Sequence, residues 1–379
     1  MAAKRRLHGE GTFRQRSDGT WEARLSLEGG RRMSFYGKTQ GEAAQKLRDA
    51  KKRAEQGIDL SADKLTVEQY LERWLRDAVK PSVKAKTYEG YESICRVRVA
   101  PRIGTRKLAK LTALDLQGLY TELKDAGLSP RSVQHTHRVL HRAFEQALRW
   151  NLIMRNPCDG AQAPRAERAE MKVWTPEQAA AFQVATSTHR MRALYVLALS
   201  TGMRQGELLG LKWGDLDLGA GTLSVQRSLQ WQREGKYQFV DPKTSRSRRR
   251  IHLSKAAVAT LRAHKDRQAF TKRDAGEHWQ EQDLVFCDEL GGPLAPSHQT
   301  ATFKMAAAAA KLPVIRFHDM RHTAATILLA KGVHVKLVSE MLGHSTIVLT
   351  LDTYSHLIPA MHGDAAAAMD TVFLMAQSG

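Results

Sequence analysis

Apolar residues recur along this chain with two periods, and the changes of period mark its organisation. Between residues 11 and 37 the pattern alternates. Thr12-Phe13-Arg14, Trp21-Glu22-Ala23-Arg24-Leu25 and Met33-Ser34-Phe35-Tyr36 read as strands, with turns at Asp18-Gly19 and Gly29-Gly30. From about Gly41 to Gln56 the period lengthens, and Ala43, Ala44, Leu47 and Ala50 fall on one helical face. This sheet-plus-helix unit, taken as residues 1–60, has little core of its own.

Residues 57–65 read as a linker, and 66–155 as helices. Thr66 suits a helix N-cap, with Val67, Tyr70, Leu71, Trp74 and Leu75 on the buried side. Further helices are expected at about 84–99, 112–126 and 129–150. The last opens at Ser129-Pro130, serine as N-cap and proline in the first turn. Asn156-Pro157 stops the pattern, so the helical domain spans 65–158, and the polar stretch 158–172 is the next linker.

The rest, 170–379, is mixed. Thr175-Pro176-Glu177-Gln178 opens a helix, and Leu194–Leu199 belongs to an apolar one. Thr222–Ser228, Tyr237–Val240 and Arg250–Leu253 read as strands, with a basic turn over 242–249. The alanine-rich stretches Met305–Lys311 and Ala365–Ala368 suit helices. A C-terminal tail helix would carry Ala365, Ala366, Met369, Val372 and Phe373 as an apolar stripe, placed against a neighbouring copy or against its own domain. The fold class expected is α+β, mainly α.

Charge narrows the partner. Lys and Arg outnumber Asp and Glu by 59 to 39, a formal charge of +20. The excess is spread along the chain rather than gathered in a tail, which points to a long polyanion, with DNA or RNA the first choice over a merely soluble surface. Apolar runs are too short for a membrane span. Cys95, Cys158 and Cys287 are scattered, without CxxC spacing, which fits reduced thiols in a cytoplasmic protein and neither zinc nor disulfides. Arg14, Arg16 and Arg24, with Arg31 and Arg32, would suit a sheet laid in a DNA groove, or simply a solvated face. Arg131 and Arg138, with His135 and Arg142, line one face of the 129–150 helix and leave the same two readings open.

The last third carries the chemistry. Thr201-Gly202-Met203-Arg204-Gln205-Gly206-Glu207 puts Arg204 and Glu207 three apart at a helix start. The arginine would grip a phosphate with two donors and the glutamate would orient it, although a plain helix ion pair has the same spacing. The glycines would let backbone approach a ligand. His318-Asp319-Met320-Arg321-His322 places His318 and Arg321 on one helical turn, suited to charge building on a pentavalent phosphorus. His344 follows Leu342-Gly343, where glycine ends a helix; it would donate to a phosphate oxygen or pack against its loop. Tyr354 is a candidate nucleophile, which nearby arginines would activate by favouring phenolate, while a lone tyrosine is ordinarily structural. Lys243 in the basic turn is a candidate proton donor to a leaving oxygen.

Each signal alone is weak, but their order is specific. It resembles the tyrosine recombinase, or phage integrase, family. That family shows an arginine in a TGxRxxE-like segment, a lysine in a hairpin turn, HxxR, LGH and then a tyrosine. The matching residues are Arg204 with Glu207, Lys243, His318 with Arg321, His344, and Tyr354. The likeness is strongest over about 173–360. Residues 65–158 look like the core-site DNA-binding domain, and 1–60 like the arm-binding domain of lambda-type integrases.

The resemblance implies a reaction. Tyr354 attacks a scissile phosphate, leaving a 3′-phosphotyrosine and a free 5′-hydroxyl. Arg204, Arg321, His318 and His344 stabilise the phosphorane, and Lys243 protonates the leaving oxygen. His318 is also a candidate general base. No nucleotide, metal or other cofactor is needed. It further implies a homotetramer on double-stranded DNA, exchange through a Holliday junction, core and arm attachment sites, a host DNA-bending protein and an excisionase. The location implied is the cytoplasm of a bacterial host.

Three rival readings compete with it. A type IB-like topoisomerase shares the covalent chemistry without strand exchange. A catalytically silent DNA-binding regulator would have lost a site residue, and none is replaced. A zinc hydrolase would need HExxH, where this chain has Asp319 in place of the glutamate.

Overall fold

In the computed structural model, the described residues are 12–26, 32–55, 63–167, 171–232, 235–241 and 248–354. The chain divides into two compact units, with the boundary at 168–169.

The first unit opens with an antiparallel meander, β1 (Thr12–Gln15), β2 (Trp21–Ser26) and β3 (Arg32–Gly37). Thr12 pairs with Arg24, and Arg24 with Ser34. Helix α1 (Gln40–Glu55) lays Ala43, Leu47 and Ala50 against Ala23 and Leu25, a small apolar core. The expected turn at Gly29-Gly30 and most of the 57–65 linker lie outside the described residues.

Helices α2 (Val67–Trp74), α3 (Ala85–Ser93), α4 (Ala100–Ile103), α5 (Ala113–Asp125) and α6 (Pro130–Arg149) follow. Thr66, Thr112 and Ser129 cap α2, α5 and α6 by accepting backbone N–H groups. The helix expected to end near residue 99 runs on through wider π turns to Ile103. Pro101 is tolerated because it falls in the first turn of α4. A second, separate core gathers Tyr70, Leu71, Trp74, Leu119, Tyr120 and Phe144. The Tyr70 hydroxyl donates to the carbonyl of Ala143, so its burial leaves no orphaned polar group.

The second unit holds α7 (Pro176–Ala185), α8 (Arg192–Thr201) and α9 (Gln205–Leu209). Strands β4 (Leu216–Asp217) to β8 (Arg249–His252) come next, then the long α10 (Lys255–Ala275). Helices α11 (Pro296–Ala309), α12 (Asp319–Ala330), α13 (Val335–Leu342) and α14 (Ile347–Tyr354) complete it. The strand expected over 222–228 divides: β5 (Thr222–Val225) pairs with β4 and β8, whereas β6 (Ser228–Trp231) pairs with β7 (Tyr237–Val240). The basic segment between β7 and β8 therefore links two sheets rather than closing one hairpin. The observed class is mainly α with small antiparallel sheets, as the periodicity implied. Among the described residues no helix is long and apolar enough to cross a membrane. The expected tail helix, with Ala365, Ala366, Met369, Val372 and Phe373, lies outside the described residues.

Candidate active site

Two left-handed glycines shape the site. Gly202 ends α8 at φ +60°, and a Cβ there would meet Leu342 Cδ2 at 2.5 Å. Gly343 ends α13 at φ +68°, and a Cβ there would sit 2.9 Å from Arg249 Nη1. Tight reversals at both bring α9, α12 and the loop after α13 together. Gly206 makes room for Ser228 and Leu229 of β6, so its small size serves the protein's own packing and not a ligand.

Arg204, at the cap of α9, donates through Nη1 to Glu207 Oε1 at 2.8 Å and through Nη2 to the carbonyl of Gly343 at 3.3 Å. Its backbone N–H donates to Glu207 Oε2 at 3.0 Å, so the glutamate fixes both ends of the residue. Burial would raise the Glu207 carboxyl, but the guanidiniums of Arg249 and Arg204 more than offset this and hold it below the usual range.

Arg321, in the first turn of α12, is only 3% exposed and donates through Nη1 to the carbonyl of Gly202 at 2.7 Å. Among the described residues its Nη2 is buried without a hydrogen-bond partner, a donor that a phosphate oxygen would satisfy. Burial, then repulsion from Arg204, lowers this guanidinium to about 9, so it is still charged at neutral pH. His318 stands at the cap of α12, pushed below its ordinary value by burial and then by Arg321. The Nδ1 of His344 is 2.8 Å from the Thr350 hydroxyl, and burial followed by Arg321 pushes its imidazole down to about 4.

Sequence reading gave no role to two residues that the structure places here. Arg249, the last residue of the basic turn expected over 242–249, has a side chain 7% exposed. It donates through Nη2 to Glu207 Oε2 at 2.8 Å and through Nε to the carbonyl of Met341 at 2.6 Å. It ties β8 to the end of α13, and so to the His344 loop. His322, next to Arg321, has Nδ1 2.8 Å from the hydroxyl of Tyr354. Arg249 had one signal: it opens a strand in which Ile251, two positions on, is buried. His322 had only its neighbour.

Arg204, Arg321, Glu207 and Arg249 form one linked cluster joined to the His344 loop, and Tyr354 packs close by on α14. Lys243 lies outside the described residues. Asp319 is held by Arg316 at 2.7 Å, which leaves its carboxylate already engaged where a hydrolase would need it free.

The sequence comparisons agree with this geometry. The phage integrase family matches residues 173–360, and the N-terminal SAM-like domain of phage integrases matches 66–124. A XerC-like tyrosine recombinase of Caldanaerobacter subterraneus subsp. tengcongensis is 31% identical over 361 residues, covering 90% of this chain and 92% of that one. The chain belongs to the phage integrase family. Its activity is site-specific DNA recombination. An integrase of Saccharopolyspora erythraea is 25% identical across 97% of this chain and 98% of its own length. Among solved structures, the Tn1549 transposon integrase in complex with transposon right end DNA is 24% identical with a TM-score of 0.69. That match covers 81% of this chain and 99% of the other. A lambda integrase tetramer bound to a Holliday junction superposes at TM-score 0.59 with 19% identity, covering 92% and 96%. These likenesses establish the fold of this family member.

The candidate DNA-contact residues of this family member differ in availability. Arg14 is exposed on β1, and Arg16 is exposed just beyond it, its guanidinium over the Tyr36 ring. Arg24 is bound through Nε and Nη2 to Glu22, both at 3.0 Å. Arg131, His135, Arg138 and Arg142 are exposed on α6, opposite Val133, Leu140 and Phe144.

Proposed function

We propose that this recombinase cuts and rejoins double-stranded DNA through Tyr354, forming a 3′-phosphotyrosine and a free 5′-hydroxyl. Arg204 and Arg321 hold the scissile phosphate, and His318 and His344 donate to its oxygens as charge builds. Glu207 aligns Arg204. Lys243 gives the proton that the leaving 5′-oxygen needs. The phosphodiester energy stays in the covalent link, so resealing requires no nucleotide. The observation that carries this reading is the arginine cluster. Arg204 and Arg249 share the Glu207 carboxylate, Arg321 lies close enough to feel its charge, and among the described residues a buried donor of Arg321 has no partner.

In this reading residues 170–379 are the catalytic domain, 65–158 the core-site binding domain, and 1–60 an arm-site binding domain. Arg131 and Arg138 contact core DNA; Arg14 and Arg16, with Arg24 more weakly, contact arm DNA. Four copies assemble on two sites and pass through a Holliday junction, and the partners are a host DNA-bending protein and an excisionase in a bacterial cytoplasm. The lambda integrase tetramer on a Holliday junction supports the assembly by analogy.

The test uses nicked duplexes drawn from the DNA flanking this chain's gene, incubated in chelator and then boiled in detergent. The expected result is a slow protein–DNA band for the wild type, none for Tyr354→Phe, and very little for Arg204→Ala, with DNA binding kept by both variants. An adduct formed by Tyr354→Phe would sink the assignment.

A further inference from the structure

The nucleophile of this site is put away. Tyr354 is fully buried, at 0% exposure. Its ring lies among Ala325, Leu329, Val338 and Leu342. Its oxygen is 2.8 Å from Nδ1 of His322, which stands on α12, 32 residues earlier in the chain. An oxygen without exposure cannot meet a phosphorus atom, so attack requires this side chain to leave its pocket.

We infer that His322 is the positioning residue for the nucleophile: it docks the Tyr354 hydroxyl in a closed, protonated store, and catalysis begins when that hydrogen bond is exchanged. The inference rests on the reading of Tyr354 as the attacking group.

The chemistry of the pair fits storage and not activation. Burial, then His318, pushes the His322 imidazole down to about 4; Arg321 and Arg316 act in the same direction, while Asp319 opposes them. Burial raises the Tyr354 phenol to about 12, against a lowering by Arg321. The phenol therefore keeps its proton, and with the neutral imidazole in its Nε2–H tautomer it donates to Nδ1. A base this weak would not take the proton at rest. A neutral pair also suits the apolar pocket, where a phenolate would be costly. A DNA phosphate arriving at Arg204 and Arg321 brings the competing acceptor close by. Docking would thus keep the nucleophile shielded until a substrate is in place.

The test compares single-turnover adduct formation by His322→Phe, His322→Asn and the wild type. The substrate is the flanking-DNA fragment on which the wild type forms most adduct. Phenylalanine fills the space but accepts no hydrogen bond, which leaves the docked hydroxyl unsatisfied and favours release; the expected gain is on the order of 10-fold in rate. Asparagine presents an acceptor near the position of Nδ1 and should cleave at close to the wild-type rate. In parallel, nitrogen NMR of labelled histidine on the DNA-free protein should show the His322 Nδ1 resonance displaced by Tyr354→Phe.

Equal or slower cleavage by a folded His322→Phe protein overturns the inference, as does an Nδ1 resonance untouched by Tyr354→Phe. An adduct formed by Tyr354→Phe itself is a different failure, that of the nucleophile reading.

Discussion

Glu22 in the first unit and Glu207 in the second are both 5% exposed, and both lie beneath arginine. Glu22 accepts Nε and Nη2 of Arg24, and the Ser34 hydroxyl at 2.7 Å. The Arg24 guanidinium, then Ser34, hold its carboxyl down at about 2. One carboxylate meets one guanidinium, and the pair is complete. Glu207 is shared between Arg204 and Arg249, with Arg321 close enough to feel its charge. Three cations over one anion leave an excess that an incoming phosphate would balance. A completed ion pair stiffens a surface, whereas an incomplete one, held in place by burial, is poised to bind.

The comparison breaks most visibly if Glu207 is removed. Glu207→Ala leaves Arg249 buried without its carboxylate, and we expect a loss of about 3–5 kcal/mol in stability. Adduct formation should fall by roughly 100-fold or more, because Arg204 loses the group that aligns it. Denaturant melts and the nicked-duplex assay measure the two effects.

Arg249→Lys comes next. Lysine cannot reach both Glu207 and the Met341 carbonyl with a planar fork, so the substitution should behave more like alanine than like wild type. The expected cost is about 1–3 kcal/mol, with cleavage reduced about 10-fold. Wild-type cleavage by Arg249→Lys would show that the shared carboxylate does not need two arginines.

Gly343→Ala sharpens the same point through the backbone. A methyl group must enter a left-handed conformation 2.9 Å from Arg249 Nη1, at a cost of about 1–3 kcal/mol. The His344 loop should shift, and cleavage should fall more than DNA affinity does.

Acid should expose the burial of these imidazoles, and then the crowding of charge around them. His322 and His344 fall to about 4 in the folded chain, against an ordinary 6.5. Between those values the unfolded chain binds more protons, so stability rises with pH, and is lost as pH drops from about 6.5 to about 4. Thermal melts at pH 7 and pH 5 should differ by several degrees, roughly, and His322→Phe should flatten the dependence.

The smallest effects belong to the sheet. If Arg24 is neutralised by Glu22, then Arg24→Ala should change DNA affinity less than Arg14→Ala. Removing a free phosphate contact at Arg14 should lower the salt dependence of binding by about one ion. Equal effects would mean that DNA opens the Glu22 pair.

Much of the scaffold was legible from local pattern. The three strands of the first unit, the capped starts of α2 and α6, and the glycine end of α13 follow from periods of two and 3.6 and from cap chemistry. The candidate site residues Arg204, His318, Arg321, His344 and Tyr354 could be named from the sequence too, because each sits in a short segment with its own spacing. The break between β5 and β6 was not, since continuous β propensity does not say which neighbour a strand will choose. Nor was the run of helix through Pro101, because a proline inside a helical pattern reads like a stop.

By itself, then, the sequence determined most of the elements, the mainly helical class and the family, and it named the candidate reacting groups. Tertiary structure alone decided what those groups do to one another. Arg204 reaches a carbonyl 139 residues away, Arg249 joins Glu207 across 42, and His322 meets Tyr354 across 32. Such contacts depend on how helices and strands pack, and their energies on how far water is excluded. A one-dimensional pattern carries neither. The same arginine is a solvated charge on α6 and a buried clamp on β8, and only burial separates the two.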